Sequence, residues 1–228
     1  MPHNRVYSLA IHSIRLYARL MLRLDIHWRA PLPAGPKLFI ANHPSATDPF
    51  LIHLLSSKHL SVMIRESAFL MPVFGRLLRH CRQIAVTAGQ GKQALEKAHQ
   101  CIQSGHSVGI FPEGWISPLK GYNRPHTGAA RLALATEVAV IPVGIYLLRE
   151  RRVHLSSRLS GEYSEAFWYI RGPYGMTVGK PMHFQGNAED EQLVRSVTEH
   201  MMAKIHELAE ESERRIHFAL SGSRLPAI

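Results

Sequence analysis

The passage from residue 38 to residue 55 limits the fold more than any other part of the chain. Leu38, Phe39, Ile40 and Ala41 form a short run without a polar residue, the pattern of a strand buried on both faces. Asn42, His43, Pro44, Ser45, Ala46, Thr47 and Asp48 follow. Beyond Pro49 a second apolar run, residues 50–55, reads as the first turns of a helix. A buried strand running straight into a helix belongs to an α/β sheet. The loop at the strand's carboxyl end is where such sheets bind ligands.

The alternation continues along the chain. Strands are expected at 37–41, 61–64, 83–86, 107–111 and 138–145, with two late ones at 167–170 and 176–178. Helices are expected at 49–57, 67–78, 91–104 and 127–136, and as one or two long helices over 189–220. Residues 153–165 are polar and aperiodic and are expected as an exposed loop. The chain therefore reads as α/β, a mostly parallel central sheet with flanking helices.

The loop after the first strand holds a His and an Asp five positions apart. Such a pair suits general-base catalysis. The imidazole takes a proton from a hydroxyl, while the carboxylate holds the ring's other N–H and stabilises the cation that forms. The competing reading makes Asp48 a helix cap before Pro49 at the first helical position, with His43 a plain loop residue.

Composition narrows the partners. The formal charge of +10 calls for an anionic one: lipid headgroups, nucleic acid or a phosphorylated substrate. The basic residues are spread along the chain without an aromatic-interleaved patch, so nucleic acid is not expected. Cys81 and Cys101 stand apart, which gives neither zinc spacing nor a disulfide framework, and no metal site is expected. Arginines interrupt each apolar stretch near the N-terminus, so no secretory signal is read there. A reducing, cytoplasmic setting is expected.

Phe111, Pro112, Glu113 and Gly114 end the strand expected at 107–111. N-H-x-x-x-x-D followed at this distance by F-P-E-G resembles the glycerolipid acyltransferases, the family of 1-acylglycerol-3-phosphate acyltransferase. The family's other marks stand in order. Arg65 and Glu66 lead into Pro72, Val73, Phe74 and Gly75; then come Gly128, Ala129 and Ala130, then Ile141, Pro142 and Val143, and last Val178, Gly179, Lys180 and Pro181.

The resemblance implies acyl transfer from acyl-CoA or acyl-carrier protein, as co-substrate and with no other cofactor, to the hydroxyl of a lysolipid. His43 would be the base and Asp48 its orienter. No serine or cysteine stands beside His43 in a nucleophile elbow, so direct attack by the acceptor is expected. Backbone N–H groups at the start of the following helix would receive the oxyanion. Asn42, Arg65, Glu113 and Gly114 would bind substrate, with Arg65 near the acceptor's phosphate. A non-catalytic lipid-binding protein on the same fold is the alternative, against which the intact His43 and Asp48 speak.

Two departures bear on the acceptor. The family's second motif commonly ends Ile-Asp-Arg, where this chain has Ala85, Val86 and Thr87; its third commonly runs F-P-E-G-T-R-S, where this chain has Trp115, Ile116 and Ser117. Each removes an arginine associated with phosphate. The change favours a bulkier or less charged acceptor over lysophosphatidic acid, the acceptor the resemblance names first.

Residues 4–24 have helical period. Arg5, Ser8, His12, Arg15, Arg19 and Arg23 share a stripe about 80° wide, and apolar residues fill much of the remaining circumference. A basic, mostly apolar helix is the form of an interfacial anchor. Residues 1–30 are therefore expected as an amphipathic helix held at an anionic membrane face, and 31–228 as the acyltransferase domain; a core-packed helix is the competing reading.

Overall fold

The structure, a computed structural model, describes residues 5–157 and 164–221. Period-two alternation in the strands sorts the core into two layers. In β2 (Lys37–Ala41), Phe39 and Ala41 enter one layer, while Leu38 and Ile40 enter the other. The first layer lies beneath α1 (Arg5–Met21) and α2 (Asp48–Leu51), which a 3-10 turn over Ile52–Leu55 continues. The second lies beneath α5 (Gly91–Gln103), α6 (Gly128–Thr136) and α7 (Glu191–Leu220).

The remaining strands of the main sheet are β1 (Leu22–Trp28), β3 (Leu60–Arg65), β4 (Ile84–Val86), β5 (Ser107–Ile110) and β6 (Ala139–Leu147). A hairpin of β7 (Val153–Ser157) and β8 (Ser164–Trp168) stands apart, and β9 (Gly172–Val178) returns to the sheet. The order is β1-β9-β6-β2-β5-β3-β4, and each neighbouring pair is parallel except β6 with β9. The mostly parallel α/β fold expected from the sequence is the one observed. The loops after β2 and β5, adjacent strands, meet at one end of the sheet.

α7 seals the second layer across β6 and β9. A Cβ on Gly144 would stand 2.0 Å from the backbone nitrogen of Ala209, so only glycine lets the helix approach β6 this closely. Arg29 pairs with Glu207 and Glu211, and Arg215 with Asp25, which ties α7 to β1 and the segment after it.

Several boundaries differ from expectation. The N-terminal helix ends at Met21, and residues 22–28 form an edge strand paired with β9 in register Leu22 to Gly172. The division expected at residue 30 thus follows a strand that belongs to the main sheet. The helix expected over 67–78 is two, α3 (Glu66–Leu70) and α4 (Pro72–His80), because Met71 precedes a proline and takes the extended conformation. Part of the loop expected at 153–165 is the β7–β8 hairpin; residues 158–163 lie outside the described residues. α7 is a single helix, capped by the Asp190 carboxylate, which accepts from the Gln192 and Leu193 N–H groups. Among the described residues no helix is long and apolar enough to cross a membrane.

Candidate active site

β2 ends at Ala41, and the chain turns through residues 42–47 into α2. His43 Nδ1 lies 2.9 Å from an Asp48 carboxylate oxygen. That same oxygen accepts the Ser45 N–H at 2.7 Å, and the other accepts the Tyr174 hydroxyl at 2.7 Å. Asp48 is fully buried, so these three bonds are what keep its charge tolerable there. Burial first, and the Asp48 charge second, push the Tyr174 phenol well above its ordinary range, which keeps it a donor. A carboxylate can only accept, so Nδ1 carries the proton and Nε2 is left with its lone pair. The His43 ring stacks on Phe111 with centroids 4.5 Å apart, and its side chain remains 14% exposed. Asp48 therefore does not cap α2; the cap position is Thr47, and it makes no side-chain cap bond.

The loop after β5 is joined to this one. Glu113 is buried, and one carboxylate oxygen accepts the His43 N–H at 3.1 Å and the Ser117 hydroxyl at 2.7 Å; the other accepts the Asn123 N–H at 2.8 Å. The Ser117 N–H donates to the His43 carbonyl at 2.7 Å. Gly114 has φ +67°, and a Cβ there would meet the His126 ring at 2.8 Å, so the turn requires glycine. Asn42 is fully buried, and its amide donates to the Ile145 carbonyl and accepts the Ile145 N–H, extending the β2–β6 pairing. Asn42 and Glu113, expected on the substrate, thus spend these polar atoms inside the fold. Arg65, at the end of β3, holds its guanidinium 3.9 Å from the centroid of the Trp115 ring, which is 57% exposed. Arg65 and Gly114 are both at the rim.

The helix-start N–H groups are a correction to expectation. Ser45 donates to Asp48, Ala46 to the Phe167 carbonyl, Thr47 to the Ser45 hydroxyl and Asp48 to the Ser45 carbonyl, and Pro49 has no N–H. These groups fix the loop and are not free for an oxyanion.

Sequence reasoning missed Tyr174 and Arg152. Arg152 follows β6 and donates to the Pro44 carbonyl at 2.8 Å and the Ser117 carbonyl at 2.9 Å, clasping both motif loops. Its guanidinium lies over Phe167. Burial lowers its pKa, and so does nearby Arg149, against the attraction of Asp48. Both residues lie more than a hundred positions from His43, and nothing local marks them. Among the described residues no group of three or more His, Cys, Asp or Glu could hold a metal ion.

The chain is similar to proteins of known activity. It is 25% identical over 171 residues to a 1-acyl-sn-glycerol-3-phosphate acyltransferase of Pseudomonas aeruginosa, covering 72% of this chain and 61% of the relative. It is 28% identical over 138 residues to a lyso-ornithine lipid O-acyltransferase of the same organism, covering 60% of this chain and 52% of the relative. The chain thus spans less than two thirds of the length of either. The crystal structure of the 1-acyl-sn-glycerophosphate (LPA) acyltransferase PlsC from Thermotoga maritima matches with a TM-score of 0.59 at 19% identity, covering 90% of this chain and 78% of that one, a likeness of fold. The acyltransferase family profile matches residues 23–146, which include both motif loops, and the chain belongs to that family.

Proposed function

We propose that the protein is an O-acyltransferase that moves an acyl group from a thioester to the hydroxyl of a lysolipid. The observation that carries this reading is the His43 imidazole, held at Nδ1 by a buried carboxylate and open at Nε2. In the proposed reaction the acceptor oxygen attacks the thioester carbonyl while Nε2 takes its proton. The tetrahedral intermediate then collapses, the carbon–sulfur bond breaks, and the leaving thiolate takes the proton back from the imidazolium. Asp48 offsets the imidazolium charge without being protonated itself. No covalent acyl-enzyme is required. The thioester is carried by CoA or by acyl-carrier protein.

Lysophosphatidic acid is the first acceptor to test, supported by the name of one relative. Arg65 is the cation we assign to its phosphate, while Asn42, Glu113 and Gly114 shape the loops around it. A second reading is favoured by Trp115 and Ile116, which stand where the family commonly carries Thr-Arg. An acceptor with a larger or less anionic headgroup suits that rim better, and the other relative is named for a lyso-ornithine lipid.

We place the reaction at a membrane surface. α1 buries Ile11 and Ala18 against the first layer, yet it exposes Leu9, Leu16 and Leu20 beside Arg5, Arg15 and Arg19. The helix therefore packs on the core and keeps a second apolar face for lipid.

The deciding experiment offers purified protein acyl-CoA and acyl-carrier-protein thioesters with a panel of lysolipids, reading products by mass. Acylated lysolipid that disappears in His43→Ala is the expected result. No product from any pair, or full activity in His43→Ala, overturns the reading.

A further inference from the structure

Beside the catalytic loop lies a cleft to which the proposed reaction assigns no role. It has a volume of about 1040 Å³ and lies between the end of α1, the start of β1, the segment entering β7 and the turn entering β9. Arg19, Arg23, Arg151 and Arg171 line it, and no acidic residue does. Strand register puts it at the catalytic end of the sheet. Leu22 lies opposite Gly172 in the β1–β9 pair, Tyr174 opposite Leu147 in β9–β6, and Val143 opposite Ala41 in β6–β2. The step from cleft to dyad is short: Pro173 lines the cleft, and the next residue, Tyr174, bonds Asp48.

These four arginines differ from three of the partly buried ones. Arg29, Arg131 and Arg215 are all matched with carboxylates. Among the described residues, none of the four side chains around the cleft has an ion pair or hydrogen bond, and all four residues are exposed. Four like charges around one hollow repel each other and raise a local positive potential, which an anion would relieve. The rim says which kind of anion. Leu20, Met21, Ile170 and Leu220 are exposed around the same hollow, Leu20 to 68%. No aromatic side chain that could stack on a nucleotide base lines it. A soluble polyanion would leave those apolar groups in water. A phospholipid in a bilayer brings a phosphate for the arginines and acyl chains for the leucines. The apolar rim is also continuous with the exposed leucines of α1.

We propose that this cleft binds the phosphate headgroup of an anionic membrane phospholipid that is not a substrate, and so seats the catalytic end of the sheet against the bilayer. The proposal rests on the reading that the enzyme works at a membrane face, and goes beyond it by assigning a headgroup site.

The test uses the full chain and vesicles of phosphatidylcholine with or without phosphatidylglycerol. The double variant Arg151→Gln/Arg171→Gln leaves α1 and the dyad untouched. A basic residue at an anionic surface contributes enough that losing two should weaken binding to phosphatidylglycerol vesicles about thirtyfold. Lys92→Gln/Lys97→Gln removes the same charge from exposed positions on α5, across the sheet, and should leave binding unchanged. With a short-chain lysolipid dispersed without vesicles, the arginine variant should keep wild-type turnover and wild-type KM for the thioester.

Equal weakening by the lysine variant would show a diffuse charge effect and overturn the site. Unchanged vesicle binding in the arginine variant would overturn it too, as would a raised KM for acyl-CoA or acyl-carrier protein, which would make the cleft a donor site. If the protein acylates none of the lysolipids but the arginine variant alone loses vesicle binding, the activity reading fails and the headgroup site stands.

Discussion

The catalytic loop and the outer face of α1 treat their polar and apolar groups in opposite ways. Around His43 the polar groups are matched: Asp48 has three partners, Glu113 has three, and the N–H groups of residues 45–48 are all bonded. On the outer face of α1 and the adjoining cleft, leucines and arginines stand exposed to water side by side. A region whose bonds are closed is rigid and can hold reacting groups in place without reorganising. A region left open has free energy to gain from a partner. On the proposed reading the molecule separates chemistry from docking while keeping both at one end of the sheet.

Breaking the closed region should give the largest effects. His43→Ala removes the base and should lower kcat by about 10² to 10⁴. The buried carboxylate keeps its bonds from Ser45 and Tyr174, so a circular dichroism melt should stay near wild type. Tyr174→Phe comes next. It removes one hydrogen bond to a buried charge, a change of about 1.5–3 kcal/mol. If that energy is spent holding Asp48 in line with His43, kcat falls about ten- to a hundredfold with KM little changed. A Tyr174→Phe enzyme with wild-type kcat would mean that Ser45 and His43 suffice to orient the carboxylate.

The two regions meet where α1 is pinned to the core. The Tyr7 hydroxyl on α1 lies 3.3 Å from His53 Nδ1 and accepts the Leu60 N–H at 3.1 Å. His53 is buried, and burial, helped by His59, lowers its pKa to about 3. An unfolded histidine titrates near 6.5. Below that value the unfolded chain binds a proton that the folded chain refuses, so this contribution to stability is full above about pH 6.5 and is lost as pH falls toward 3. Between pH 6.5 and pH 5 the loss is about 1.5 kcal/mol. In His53→Gln the slope of stability over that window should flatten, measured by urea unfolding at each pH. An unchanged slope would assign the acid sensitivity to other groups.

How far the sequence discloses this arrangement depends on how local the signal is. β2, β5 and the loops after them are legible because an apolar run followed by proline, glycine and a charged residue is a local pattern. β1 was missed, although Leu22, Leu24 and Ile26 alternate with Arg23, Asp25 and His27, because a helical period runs into it without a break. The split between α3 and α4 was readable from Pro72 alone. Tyr174 and Arg152 were not readable. They reach the loop only because β9 runs antiparallel to β6 and the segment after β6 folds back over both motifs, facts of tertiary structure. The roles expected for Asn42 and Glu113 follow their motifs, but what their polar atoms touch is set by β6 and by the loop around Ser117 and Asn123.

The smallest effect lies at the border between the two regions, where Arg65 rests on Trp115. Trp115 and Ile116 occupy places where the family commonly has Thr-Arg, and Ile116 is half-buried beside them. Stacking holds the guanidinium against the indole face and leaves its N–H edge available for an anion. On the proposed reading Arg65 is then the cation offered at this rim. Ile116→Arg would restore a second, but on a partly solvated rim, where an added ion pair contributes only about 0.2–1 kcal/mol. The specificity constant for lysophosphatidic acid should therefore rise about two- to fivefold relative to a zwitterionic lysolipid. Trp115→Ala should act the other way, freeing Arg65 and weakening the selection for either headgroup. The comparison is made with both acceptors dispersed in the same detergent, so that vesicle binding does not enter. If the native enzyme already prefers lysophosphatidic acid by orders of magnitude and Ile116→Arg changes nothing, the phosphate is held by groups other than those at this rim, and the preference for a larger or less anionic headgroup is wrong.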